Sequence, residues 1–97
     1  MEKNAFPVID MSATGENISR LRRKHGQSVR DLQEYFGFTE PQAIYKWQWG
    51  KALPSVDNLY ALSVLWDVPI NGILVEVDRD AVDASCTLIQ FPVRSAA

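Results

Sequence analysis

Gln42, Tyr45, Lys46 and Trp49 recur at spacings of three and four residues within EPQAIYKWQWGKALPS, residues 40–55. If the stretch is helical, a turn of about 100° per residue gathers all four on one side. Their chemistries differ and complement one another. An amide suits the edge of adenine, an ammonium suits guanine or a phosphate, and aromatic rings suit thymine methyls or sugars. Ile44 and Trp47 point the other way, with Gln48 nearby, and are the better core residues. Only one side can pack inward, so the first four are left free. For Gln42, Tyr45 and Lys46 an ordinary solvated face is the plain alternative. Trp49 is costlier to leave in water and calls for cover by nucleic acid, a protein partner or the C-terminal part of its own chain.

The pattern around this stretch supplies elements to hold it. A first helix is expected from about Gly15 to His25, with Thr14 as N-cap, Glu16 in the positive first turn, and Gly26 ending it. Ile18, Leu21 and His25 share one face. A second helix starts after Ser28, where Asp31 three residues on imitates a capping box. Its apolar stripe is Val29, Leu32 and Phe36, and Gly37 stops it. The third helix is expected after Thr39. Gln42 completes a capping box there, and Pro41 falls in the first turn, where a missing N–H is tolerated. A fourth helix follows Ser55. Val56, Leu59, Tyr60, Leu62, Val64, Leu65 and Trp66 make it apolar nearly all round, so it is expected at the centre. A short fifth helix follows Val68-Pro69 and carries Ile70, Ile73 and Leu74.

The fold expected is therefore all-α, a compact five-helix domain with short extended N- and C-terminal segments. Residues 1–13 form an arm, 14–75 the helical domain, and 76–97 an extension. In that extension, Ala84 to Val93 is rich in β-branched and aromatic residues. It suits a strand paired with Phe6 to Ile9 or with a second molecule, and Cys86 to Val93 is the candidate dimer contact or, alternatively, a cap on the monomer's own core.

With 97 residues, the chain has room for one modest core. Its hydrophobic content of 46% is too high for a disordered protein. The apolar runs are too short to span a bilayer, and the first ten residues lack a signal-peptide core, so a cytoplasmic location and no membrane partner are expected. Cys86, the single cysteine, excludes an internal disulfide and a Cys-rich zinc site. No Gly-rich phosphate loop, carboxylate pair or nucleophile–base arrangement stands out, so catalysis, cofactors and a small-molecule ligand are not expected.

Net charge is −2, but it is unevenly spread. Residues 14–51 carry seven Lys/Arg against four Asp/Glu, a balance of +3. Residues 52–97 carry two against six, a balance of −4, and residues 1–13 add −1. The basic charge sits in the half that holds the second and third helices.

The second helix, a turn and the third helix make a helix-turn-helix candidate, a motif whose second helix enters the major groove. From Gly15 to Leu74 the chain resembles the lambda-repressor/Cro class of helix-turn-helix domains, often called the Xre family. The matching pieces are ENISRLRRKHGQS, DLQEYFGF, AIYKWQWGKALPS and NLYALSVLWDVPINGIL, in the family's order. Gln33 stands where a small residue is usual, and the turn before Ile44 is about one residue longer. Val29 replaces a Gln that often touches DNA. Gln48 replaces a Glu, leaving Arg22 at most a hydrogen bond.

The resemblance implies sequence-specific binding to double-stranded DNA, a repressor-like transcriptional role, and a two-fold homodimer. The DNA-contact set it suggests is Ser28, Arg30, Thr39, Gln42, Ala43, Tyr45, Lys46, Trp49 and Lys51. Arg30 and Lys51 would meet phosphates, as would the helix starts at Ser28 and Thr39. The competing expectation is a protein-interaction module that kept the fold without DNA binding. The negative net charge, Val29 and the greasy Trp49 favour it.

Overall fold

The computed structural model describes residues 6–78. Four helices make up the body: α1 (Met11–Lys24), α2 (Val29–Phe36), α3 (Gln42–Gln48) and α4 (Val56–Trp66). The expected fifth helix is instead a single 3-10 turn, Ile70–Gly72. Two causes shorten it. Asn71 and Gly72 are poor helix formers, and the Asn17 side-chain amide donates to the carbonyls of Gly72 (2.9 Å) and Ile73 (3.0 Å), taking acceptors that a longer helix would use. Ile73 is nonetheless fully buried. No helix among the described residues is long and apolar enough to cross a membrane.

α1 begins a full turn earlier than expected. Asp10 is its N-cap, accepting the N–H of Ala13 at 2.9 Å. Thr14 lies inside the helix and is completely buried. Its hydroxyl accepts the N–H of Val75 at 2.8 Å and lies 3.4 Å from the carbonyl of the same residue. Met11 to Ala13 thus belong to the helix and not to the arm. The arm that remains runs antiparallel to residues 75–77. Ile9 bridges Glu76, the Asp10 N–H reaches the Val75 carbonyl at 2.7 Å, and the Val77 N–H reaches the Val8 carbonyl at 2.8 Å. The expected strand at Ala84 to Val93 lies outside the described residues.

Local chemistry fixes the ends of α2. Ser28 and Asp31 form the expected reciprocal capping box, at 3.0 and 2.8 Å. Gly37 closes the helix in the left-handed conformation (φ 74°), which only glycine adopts without strain. α3 departs from expectation at its start. Pro41 itself occupies the N-cap and no side chain caps the helix, so the proposed Thr39–Gln42 capping box does not form. A residue before proline is driven out of the helical region. Glu40 is thereby disfavoured as the first helical residue, and α3 starts after Pro41, at Gln42.

The core gathers Ile18 and Leu21 from α1, Leu32 from α2, Ile44 and Trp47 from α3, Leu59, Leu62 and Trp66 from α4, and Ile73. Phe36, Phe38 and Trp47 form an aromatic cluster with centroids 5.1 to 6.1 Å apart. α4 does not lie at the centre. It buries Leu59, Leu62 and Trp66 and leaves Val56, Tyr60 and Val64 exposed. These three recur every fourth residue, so they form an outward stripe.

The most extensive packing between helices is α1 on α3. Gly15 makes it possible: a Cβ there would meet the carbonyl oxygens of Trp47 and Gln48, the latter at 2.5 Å. Gly50 (φ 75°) serves the same approach from the other side, where a Cβ would lie 2.9 Å from Ser12 Cα. In an exposed helix, replacing Gly by Ala stabilises by about 1 kcal/mol. Here we expect Gly15→Ala to destabilise by about 3 kcal/mol, because the added methyl meets backbone that cannot rotate away. Urea unfolding followed by circular dichroism measures it, and a rise in midpoint would refute the packing.

Candidate nucleic-acid interface

α3 has only seven residues and too few hydrogen bonds to persist alone. Its orientation comes from its inner side. Ile44 and Trp47 are buried, and Ala43 is half-buried against the core. Gln48 is held by Arg22, whose Nε donates to Gln48 Oε1 at 2.8 Å while its Nη1 donates to the Gln27 carbonyl at 2.7 Å. The hydrogen bond expected in place of an ion pair is therefore present. Gln27 in turn accepts the indole N–H of Trp66 at 2.8 Å, so one polar chain links α1, α3 and α4.

On the outer side the structure brings together Gln42, Tyr45, Lys46 and Trp49, all exposed. Trp49 is the C-cap of α3, and its N–H still bonds to the Tyr45 carbonyl at 2.9 Å. Trp49 is 62% exposed and Tyr45 37%. Their rings stack, with centroids 5.5 Å apart and planes 22° from parallel. This pairing was not anticipated, although aromatics four apart on a helix are neighbours and the spacing carries the signal. The loop after α3 turns back at Gly50, and the N–H of Lys51 bonds to the Lys46 carbonyl at 2.9 Å. Lys51 is thereby kept beside the last turn of α3, exposed.

The remaining predicted residues are placed less uniformly. Ser28 and Arg30 are exposed at the start of α2. Arg30 lies 3.6 Å from Glu34, a pair in which both side chains are mostly in water and which holds the guanidinium weakly. Thr39 is exposed in the bend before α3 and caps nothing. Ala43 lies toward the core and is not part of the exposed group. His25 caps the end of α1, its Nδ1 2.9 Å from the Leu21 carbonyl, with its ring stacked at 6.2 Å on Trp66. Among the described residues no group of His, Cys, Asp or Glu is arranged to hold a metal.

No family model matches the sequence, and no curated protein matches it either. A solved structure does: the DNA-binding domain of BldD, with a TM-score of 0.56 and 20% identity, over 66% of this chain and 92% of that domain. At that identity the likeness is one of fold. It supports the helical architecture and leaves the residues of the α3 face to be judged on their own chemistry.

The two tryptophans of α3 are two residues apart and have opposite environments. Trp47→Ala is expected to cost about 3–5 kcal/mol of stability through loss of the aromatic cluster. Trp49→Ala should change stability by no more than about 0.5 kcal/mol, as for other surface substitutions. Thermal or urea unfolding of the two variants checks this, and comparable losses would contradict the assigned faces.

Proposed function

We propose that the chain binds double-stranded DNA in a sequence-specific manner, with α3 lying in the major groove. In this reading it is a repressor-like transcriptional regulator of the lambda-repressor/Cro type. It acts in the cytoplasm as a homodimer on paired half-sites and has no catalytic role. The observation that carries the reading is the two-sided character of α3. One side is locked into the core by Ile44, Trp47 and the Arg22–Gln48 bond. The other presents Gln42 and Lys46 to solvent, side chains able to hydrogen-bond base edges and phosphate. The fold shared with a DNA-binding domain supports it. So does the basic balance of residues 14–51. Arg30 and Lys51 are the residues assigned to phosphates, with Ser28 and Thr39 offering nearby backbone N–H groups.

The second reading is a protein-docking domain with the same fold. It is favoured by the net charge of −2 and by the 62% exposure of Trp49. Salt dependence separates the two, because displacement of counterions from phosphates is peculiar to nucleic acid.

The test is selection from random duplex DNA at low salt, followed by affinity measurement against salt concentration. A two-fold motif is expected. Gln42→Ala should relax the choice at one base position in each half-site. Lys46→Ala should weaken binding, reducing the slope of log affinity against log salt by about 1 per site if it meets a phosphate. Absence of any enrichment at low salt would overturn the proposal in favour of protein docking.

A further inference from the structure

The Tyr45–Trp49 pair is unusual in what it lacks. Its rings are stacked on each other and exposed on the side of α3 that also carries Gln42 and Lys46. Neither the Tyr45 hydroxyl nor the Trp49 indole N–H has a protein partner among the described residues. Among the described residues nothing covers this apolar area, which is left open on the outer side of α3.

We infer that the Tyr45–Trp49 pair is a specificity element that recognises the C5-methyl groups of thymine in duplex DNA. The inference rests on the DNA-binding reading above and adds to it the base that this part of the face selects. In the major groove, guanine, cytosine and adenine present only hydrogen-bond donors and acceptors, whereas thymine adds a methyl group. An aromatic surface laid against a polar edge strips its water and returns no hydrogen bond, which is penalised. Laid against a methyl, it removes apolar area from water on both sides. The stack also has the stiffness such a contact needs. The backbone bond from Trp49 to Tyr45 (2.9 Å) fixes where the two side chains leave the helix, and the ring contact restricts their rotamers, so less side-chain freedom is lost on binding than for two separate rings. The charge around it suits the same partner: Lys46 lies on the same face, and Lys51 is kept next to the last turn. Stacking of unpaired bases is the rival use of exposed aromatics. It suits this pair less well, because each ring already spends one face on the other.

The experiment compares random duplex libraries that differ only in carrying thymine or deoxyuridine, which lacks the methyl, and then repeats the comparison on the recovered sites. The full chain is used, with Tyr45→Ala and Trp49→Ala as variants. Thymine is expected at fixed positions in the recovered sites. Replacing it there by uracil should weaken binding by about fourfold per methyl, the equivalent of one buried methylene-sized group. Trp49→Ala, with an unchanged unfolding midpoint, should bind the two forms equally. Equal binding of both forms by the unaltered chain, with sequence selectivity intact, overturns the inference and leaves the DNA-binding reading standing. Binding of neither library at low salt overturns that reading and the inference with it. Tighter binding of the corresponding single strands overturns the inference in favour of base stacking.

Discussion

The close approach of α1 to the carbonyl end of α3 is the constraint on which the rest of the molecule depends. α3 is too short to be stable by itself, so its direction is inherited from what it rests upon. Gly15 lets the backbone of α1 come against the last carbonyls of α3, and Gly50 lets the chain leave α3 past the start of α1. Once the two helices meet at that distance, Trp47 is carried into contact with Phe36 and Phe38, and Gln48 comes within reach of Arg22. The exposed side of α3 is then set by default. A side chain at position 15 would separate the two helices and tilt every residue from Gln42 to Trp49.

Much of this was legible where the signal is local. Ser28 with Asp31, and Gly37 after Phe36, bounded α2 correctly because a cap acts within four residues. The division of α3 into Ile44 and Trp47 against Gln42, Tyr45, Lys46 and Trp49 followed from helical periodicity alone. The errors lie where the decisive partner is remote. Thr14 looks like an N-cap beside Asp10, a residue of the same class. Its hydroxyl belongs instead to Val75, 61 positions away, and nothing near Thr14 announces that. The shortened 3-10 turn has the same origin, since Asn17 captures its carbonyls across a gap of more than fifty residues. Pro41 is a different kind of error. The restriction it places on Glu40 was available in the sequence and outweighs the Thr39–Gln42 spacing.

The candidate site was legible in composition more than in arrangement. The hydrogen bond between Arg22 and Gln48 could be anticipated from the family resemblance, in which an acid at this position pairs with an Arg of the first helix, and not from the residue types alone. The stacking of Tyr45 on Trp49 could have been inferred from their spacing. The half-burial of Ala43 could not, because on a helix this short the core's boundary falls between neighbouring positions. α4 shows the limit of composition most plainly. An apolar residue on every side predicts burial all round, yet among the described residues only one side of this helix finds partners, and Val56, Tyr60 and Val64 are exposed.

The bridge between Ile9 and Glu76 has a mechanical consequence. The two segments run antiparallel, so Val8 and Val77 lie side by side at one end of the pair. Tension applied at Phe6 and Asp78 would peel the pair open instead of shearing it. The bond from Val77 to Val8 would bear the load first, and the bond from Asp10 to Val75 next. Bonds broken in sequence resist far less than bonds loaded together. Once the second gives way, Val75 is free to leave the Thr14 hydroxyl, and the force reaches the first turn of α1. Force on this pair is therefore delivered, bond by bond, to the helix that sets the direction of α3.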